Sequence, residues 1–183
     1  MKHYIEIVIK PDEEMRENVL LNKVYTKLHK VLFDLQSDEI GVSFPKHKVL
    51  LGDVLRIHGT ESKISELQNI DWLGGLGGDC KVSAIQEVPG NVTYRNISRI
   101  QSNMTEAKLR RLIARGSIST EEIKKYKAKM FSSGLDNPYL ELESASNGHK
   151  HRRYLKFSEE TALPAIGEFD FFGLSKTATV PWF

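Results

Sequence analysis

The sequence predicts an α+β fold in which a ferredoxin-like β-α-β-β-α-β unit precedes a smaller domain with an arginine-rich helix and a β-hairpin. Three observations support this prediction. Apolar residues switch between strand and helix spacing across residues 1–94, basic charge is concentrated after residue 94, and an Asn-Gly pair separates two alternating segments. A chain of 183 residues, 40% of them hydrophobic, is also long enough to bury a core.

The first domain is expected to span residues 1–94. Its predicted elements are a strand at 4–9, a helix at 19–36, strands at 40–44 and 54–58, a helix at 61–69 and a strand at 80–88. The long helix rests on apolar residues at helical spacing, namely Leu20, Val24, Leu28, Val31 and Leu35. The aromatic signature of an RNA recognition motif is missing, so we expect no base stacking on this sheet.

A glycine-rich run at residues 72–78 has the composition of a phosphate-binding loop, because glycines let backbone amides approach an anion. However, no Gly-Lys-Ser/Thr closes the run, and it precedes a predicted strand instead of opening a helix. The sequence therefore predicts a plain connecting loop.

The composition excludes several kinds of site. Cys80 is the only cysteine, so one chain cannot form a disulfide or a cysteine-cluster zinc site. The apolar stretch near the N-terminus is interrupted by Glu6 and is far too short for a membrane span. We therefore expect a cytoplasmic protein with no membrane segment.

The formal net charge of +2 is unevenly distributed. Residues 1–94 carry 11 basic and 14 acidic side chains, residues 95–157 carry 14 and 6, and residues 158–183 carry 1 and 4. A concentrated basic block attracts phosphate backbones, although surplus lysines can also form a merely solvated surface. The distribution favours nucleic acid as a partner.

The second domain, residues 95–183, is expected to begin with the basic segment. A helix at 105–115 would place Leu109, Leu112 and Ile113 on its apolar side. Another side would carry a basic stripe of Lys108, Arg111 and Arg115, with Arg110 at its edge. Arginines one turn apart suit successive phosphates or the deep groove of a folded RNA, while a solvated helix face is the alternative. A further helix is predicted at 119–130.

Residues 139–146 and 149–157 should pair as a hairpin around Asn147-Gly148. If the loop has two residues, the resulting pairing places two serines and two histidines on one face of the sheet. The predicted pairs are Ser146 with His149, Ser144 with His151, Leu142 with Arg153 and Leu140 with Leu155.

These segments together resemble the CRISPR-associated pre-crRNA endoribonucleases of subtype I-F, the Csy-type proteins. The resemblance covers the whole chain and is specific in order and spacing. It rests on Tyr4 and residues 10–12, Lys27-Leu28-His29, and residues 40–45, 98–101, 109–111, 144–148, 173–176 and 180–183.

The resemblance implies metal-independent cleavage of CRISPR precursor RNA at the base of the repeat stem-loop, with 2′,3′-cyclic phosphate and 5′-OH ends. It implies no cofactor, and the protein would stay bound to its product. The implied partners are the CRISPR repeat RNA stem-loop, as pre-crRNA and crRNA, and other CRISPR-associated subunits of a type I-F surveillance complex.

The resemblance also implies roles for the catalytic residues. His29 matches the family's catalytic histidine, Ser144 the serine that holds the attacking ribose hydroxyl, and Ser146 a residue of the scissile-phosphate loop. Two positions depart from the family. Phe172 replaces a tyrosine that orients the histidine, and His151 replaces the aromatic residue that stacks beneath the terminal base pair.

Further residues match the family's RNA-binding positions. Arg99 and Gln101 match a pair that reads base edges near the foot of the stem. The basic helix matches one that enters the major groove of the hairpin, with Lys108, Arg110, Arg111 and Arg115 as its binding residues. Leu112 and Gly116 stand where relatives often carry arginine, which predicts weaker and more salt-tolerant binding.

Other interpretations remain. A histidine beside an apolar helix face is more often a packing residue, and paired serines are common in polar hairpins. The chain could also be a noncatalytic crRNA stem-loop-binding subunit of a CRISPR effector complex. A DNA-binding regulator would need a helix-turn-helix or ribbon motif, and the sequence has none that we recognise. His3, His47 and His58 have no comparable support.

Overall fold

The computed structural model describes residues 1–101, 104–132, 137–143 and 148–183. These residues form a mixed α and β structure with antiparallel sheets of five, three and two strands. Of the helices within these ranges, none combines the length and apolar composition that a membrane crossing requires.

The five-stranded sheet is built by the first part of the chain, in the element order strand, helix, strand, strand, helix, strand. The elements are β1 (His3–Ile9), α1 (Glu17–Asp34), β2 (Gly41–Ser43), β3 (Val54–Gly59), α2 (Glu61–Gln68), β4 (Cys80–Val82) and β5 (Gln86–Glu87). The strand order is β2-β3-β1-β4, and β5 also pairs with β1.

The strand predicted at 80–88 is divided into β4 and β5. Between them, the Ser83 hydroxyl oxygen accepts a hydrogen bond from the backbone N–H of Glu6 at 3.0 Å. The Ser83 amide donates to the Glu6 carbonyl at 2.9 Å. One residue therefore takes both backbone groups of Glu6, which interrupts the regular ladder.

The glycine-rich run forms a short 3₁₀ helix at Gly74–Asp79, where the sequence predicted a plain loop. It does connect α2 to β4, as expected. The Lys27 ammonium on α1 donates to the Leu73 carbonyl at 2.7 Å, so the run packs against the long helix.

Helix α1 covers the sheet with the apolar face that its periodicity predicts. The buried residues on it are Leu20, Leu21, Val24, Tyr25, Leu28, Val31 and Leu32. His29 directly follows the fully buried Leu28 and is itself half-buried. The imidazole therefore lies at the edge of the packed face, between core and solvent.

The second part of the chain forms the smaller sheets and two helices. Its elements are β6 (Thr93–Arg95), β7 (Ile97–Ile100), α3 (Glu106–Ala114), α4 (Thr120–Ser132), β8 (Tyr139–Glu143), β9 (Lys150–Phe157) and β10 (Val180–Trp182). One sheet has the order β7-β9-β8, and β10 pairs with β6.

The hairpin forms, but the predicted register was wrong by two residues. Leu142 pairs with His151 and Leu140 with Arg153, and the last described pair joins Glu143 to Lys150. Gly148 has the positive φ of +66° expected of a turn glycine. Residues 144–147, which include the predicted turn residue Asn147, lie outside the described residues.

One hydrophobic cluster contains residues from both predicted domains. Ile97, Leu140 and Leu155 belong to the same cluster as the buried residues of β1 and α1. The Glu141 amide on β8 donates to the Asn22 side-chain oxygen on α1 at 3.1 Å. The division at residue 94 stays a prediction.

Candidate active site

His29 is held in one orientation by two neighbours. Its Nδ1 lies 2.9 Å from the carbonyl oxygen of Phe171, and its ring stacks on that of Phe172 with centroids 3.5 Å apart and planes 11° apart. Because a carbonyl oxygen can only accept, Nδ1 carries the hydrogen. In the neutral ring Nε2 then has the free lone pair, and no described residue bonds to it.

The turn at residues 170–174 supplies both neighbours. An Asp170 carboxylate oxygen accepts from the amides of Phe172 and Leu174 at 2.9 and 3.0 Å. Gly173 has a φ of +67°, and a Cβ there would lie 2.7 Å from a Val42 methyl group. Only glycine fits both conditions, so the turn needs this residue to aim Phe171 and Phe172 at the helix.

Phe172 lacks the hydroxyl of the tyrosine expected from the resemblance. The partner of His29 is instead a backbone carbonyl, which any residue at position 171 would provide. The Tyr25 hydroxyl donates to the Phe172 carbonyl and so ties the turn to α1 a second time. The imidazole therefore has an orienting partner without a side-chain hydroxyl.

Burial lowers the pKa of His29 below its ordinary value. The bond to the Phe171 carbonyl opposes this shift, the positive charge of Arg153 adds to it, and the negative charge of Asp170 opposes it. A lowered pKa keeps more of the imidazole neutral near neutral pH. The ring is thus suited to accept a proton at Nε2.

Arg153 is a site residue that the sequence did not single out. It is 7% exposed, and its guanidinium carbon lies 3.4 Å from the Phe172 ring centroid. Because His29 already occupies one face of this ring, Arg153 must lie on the other. A signal was present, since Arg153 alternates with the apolar Leu155 and Phe157 along β9 and so shares their face.

A cleft of about 870 Å³ opens beside this stack. Arg99 and Gln101, the two residues predicted to read base edges, both line it together with Arg153. Arg99 lies in β7 directly opposite Leu155 of β9 and is exposed. Arg153 therefore lines the same cleft as the predicted base-reading pair. It also packs on Phe172, the ring on which the predicted catalytic histidine stacks.

Helix α3 presents its basic residues to solvent. Lys108, Arg110, Arg111 and Arg115 are all exposed. The predicted apolar side was partly wrong, because only Leu109 is buried, Leu112 is half-buried and Ile113 is 46% exposed.

Both ends of α3 are defined by local chemistry. The Thr105 hydroxyl accepts from the Lys108 amide at 3.2 Å and caps the N-terminus. Gly116, with a φ of +64°, ends the helix, since side chains rarely adopt that conformation. Arginine at position 116 would therefore be strained.

The structure places His151 on an exposed part of β9, paired with Leu142 and not with Ser144. It lies two residues before Arg153 and so on the same strand face. Ser144 and Ser146 lie outside the described residues, so their predicted roles remain predictions.

Two other histidines have defined surroundings. His47 donates from Nδ1 to the Phe44 carbonyl at 3.0 Å and stacks on Phe157 with centroids 3.8 Å apart. His58 is fully buried, and its Nε2 lies 2.8 Å from the Ser43 hydroxyl oxygen. Within the described ranges, no group of three or more histidine, cysteine, aspartate or glutamate side chains is placed to hold a metal ion.

Residues 4–183 match the family model of the CRISPR-associated protein (Cas_Csy4). The chain is 34% identical over its full length to the CRISPR-associated endonuclease Cas6/Csy4 of Escherichia coli (strain UTI89 / UPEC), and it covers 100% of that protein. It is also 34% identical to the protein of the same name in Pseudomonas aeruginosa (strain UCBPP-PA14), with 100% of each chain covered. The solved structure of the CRISPR endoribonuclease Cse3 bound to a 19 nt RNA matches with a TM-score of 0.42 at 10% identity, over 98% of this chain and 100% of that one.

Proposed function

Because the chain belongs to the family of CRISPR-associated Csy4 proteins, we propose that it is an endoribonuclease that processes CRISPR precursor RNA. It cleaves at the base of the repeat stem-loop and stays on the mature crRNA. Two relatives, each 34% identical to this chain over its full length, carry the name endonuclease, which supports this activity.

The observation that carries the mechanism is the fixed orientation of His29, with Nδ1 on a backbone carbonyl and Nε2 free among the described residues. RNA brings its own nucleophile, the ribose 2′-OH. As the 2′-oxygen bonds to phosphorus and the bond to the 5′-oxygen breaks, Nε2 accepts the 2′-OH proton and the leaving oxygen takes a proton from solvent water. The products are a 2′,3′-cyclic phosphate and a 5′-OH, and no metal ion is required.

Alignment of the RNA is the larger task of the protein, because the 2′-oxygen must face the phosphorus in line with the leaving oxygen. We assign Ser144 to holding the ribose hydroxyl and Ser146 to the scissile phosphate. His151 stacks beneath the terminal base pair. Phe172 packs beneath His29.

Binding and base recognition fall to the second domain, residues 95–183. The exposed basic residues of α3 contact the stem, and Arg99 and Gln101 read base edges from the cleft. We infer that residues 1–94 form a ferredoxin-like domain that carries His29. The strand-helix-strand-strand-helix-strand order and the sheet order β2-β3-β1-β4 support this assignment. The protein works in the cytoplasm with other subunits of a type I-F complex.

The test uses purified protein and a panel of CRISPR repeat stem-loop RNAs in EDTA. We expect one cut at the stem's foot, at the same rate with and without EDTA, and no cut when the nucleotide 5′ to the scissile phosphate carries deoxyribose. Cleavage of the deoxy-substituted bond would contradict the mechanism. Tight binding of a stem-loop without cleavage of any RNA in the panel would favour a noncatalytic binding subunit.

A further inference from the structure

Arg153 is a buried cation whose charge is poorly compensated. Within the described part of the chain, its buried Nε has no hydrogen-bond partner and no carboxylate forms an ion pair with its guanidinium. Burial and the positive charge of Arg99 lower its pKa, while Tyr25 and Asp170 offset this only in part. A guanidinium held this way is costly unless an anion binds to it.

The location of Arg153 identifies the anion. Arg153 lines the cleft together with Arg99, Gln101 and Lys176, so three cations meet there. Glu168 and Asp170 also line it, but one Asp170 oxygen is already occupied by two backbone amides. Phe172 alone separates the guanidinium from His29, at 3.4 Å on one face and 3.5 Å on the other.

We propose that Arg153 binds a phosphate group of the RNA strand next to the scissile bond and, through Phe172, positions the His29 ring. The proposal rests on the proposed function, since the anion is a phosphate of the cleaved RNA. A guanidinium suits both tasks, because its planar face packs on the aromatic ring while its N–H groups donate outward in the guanidinium's own plane.

Binding and positioning are coupled in this arrangement. A phosphate in the cleft compensates the buried charge, so the guanidinium is held more firmly against Phe172 and Phe172 against His29. Base recognition by Arg99 and Gln101 on the same cleft would then bring the phosphate to Arg153 only for the correct RNA. Arg153 would thereby make the positioning of His29 depend on recognition of the correct RNA.

The test compares Arg153→Met, which keeps the packing volume without charge, with Arg153→Lys, which keeps the charge. Arg95→Met is the matched control, because Arg95 also lies over a phenylalanine, Phe157, but its Nε already donates to the Ser158 carbonyl at 2.8 Å. The probe is a repeat stem-loop RNA. The measurements are the salt dependence of its dissociation constant and single-turnover cleavage against pH, with thermal unfolding as a check on folding.

We expect Arg153→Met to lower cleavage by about 10-fold or more and to reduce the salt slope by about 1, as for one lost phosphate contact. The acid limb of its pH profile should move to higher pH, because the positive charge that lowers the pKa of His29 is removed while Asp170 remains. Arg153→Lys should restore the salt slope and the pH profile. Arg95→Met should leave all three unchanged.

A wild-type salt slope and pH profile in Arg153→Met would overturn the proposal while leaving the endoribonuclease function intact. Conversely, a reduced slope in a protein that cleaves no RNA would refute the function and keep the phosphate contact. If Arg153→Met does not fold, wild-type protein is tested on RNAs with a single methylphosphonate at each phosphate flanking the scissile bond. Lost affinity at one of them supports the contact, and unchanged affinity at all of them overturns it.

Discussion

Two histidines of this protein sit in nearly the same local arrangement. His29 and His47 each donate from Nδ1 to a backbone carbonyl, at 2.9 and 3.0 Å. Each stacks on a phenylalanine, with ring centroids 3.5 and 3.8 Å apart. Burial lowers the pKa of both below the ordinary value. Ring orientation, stacking and the direction of the pKa shift therefore do not distinguish His29, the proposed catalytic residue, from His47, for which no catalytic role is proposed.

The arginine beside each stack makes the difference. Arg95, beside His47, has its Nε bonded to the Ser158 carbonyl and lies over Trp182, whose ring also meets His47 edge-on with centroids 5.3 Å apart. Arg153, on the other side of Phe172 from His29, has no hydrogen-bond partner at Nε among the described residues, and it lines the cleft. In the His47 stack, the arginine Nε is already hydrogen-bonded within the protein. In the His29 stack, the Arg153 guanidinium is available to bind the anionic ligand proposed above.

The largest expected effect separates the two histidines directly. His29→Ala should lower single-turnover cleavage by roughly 10²-fold or more, because it removes the proton acceptor. His47→Ala should stay within a few-fold of wild type. Stem-loop affinity, measured by filter binding, should change little in either variant. Equal cleavage losses in both would break the comparison.

The basic residues of α3 should contribute to RNA binding and not to the cleavage step. Replacing Lys108, Arg111 and Arg115 together by alanine should weaken stem-loop affinity on the order of 10-fold and flatten the salt slope by up to about 3. Removing the same number of charges from α4, at Lys124, Lys125 and Lys127, is the control and should cost less. An unchanged affinity and slope in the α3 variant would remove this helix from the interface.

Acid should destabilise the fold through its histidines, most through buried His58. Burial first, and the Arg56 charge second, lower the pKa of His58 to about 3. Since the unfolded chain binds this proton from pH ~6.5 downward and the folded chain only near pH 3, stability falls as pH drops, by up to about 1.4 kcal/mol per pH unit. His29 and His47 act in the same direction.

Urea unfolding between pH 7 and 4 measures this slope, and His58→Asn should make it shallower. The remaining slope then belongs largely to His29 and His47, and removing each in turn ranks the two stacks. A slope unaffected by His58→Asn would contradict this prediction, because it would mean that folding does not change the pKa of His58.

The stacking partners should differ in function while resembling each other in stability. Phe172→Leu and Phe157→Leu should each cost about 1 kcal/mol in chemical unfolding, because both remove a partly buried ring. Only Phe172→Leu should also lower cleavage, by up to about 10-fold, since it releases the ring of His29. A similar cleavage loss in both variants would point to general destabilisation.

The smallest effect is expected at His151, at the exposed end of the face that carries Arg153. His151→Phe should retain or improve cleavage, because a phenyl ring stacks more broadly than imidazole. His151→Ala should lose about 5-fold in stem-loop affinity. Abolished turnover in the phenylalanine variant with intact affinity would instead indicate imidazole chemistry at this position.

Local periodicity was a good guide to the elements and a poor one to their partners. The apolar spacing of α1 predicted the helix to within two residues at each end and placed His29 beside its buried face. The hairpin strands were also predicted, but pairing differs by two residues from the predicted register. A shift of two keeps every side chain on its face, so alternation alone cannot detect it.

The sequence by itself determined the mixed α and β elements, the basic helix and the family. It also determined that His29 lies beside the buried face of its helix. Each of these follows from spacing, charge or motif along the chain. Only the tertiary structure decided what surrounds the histidine. The Phe171 carbonyl and the Phe172 ring come from a turn more than 140 residues away in sequence. The Phe172 ring of the same turn also lies over the guanidinium of the buried Arg153. Burial and charge compensation depend on contacts through space, which a local pattern does not encode.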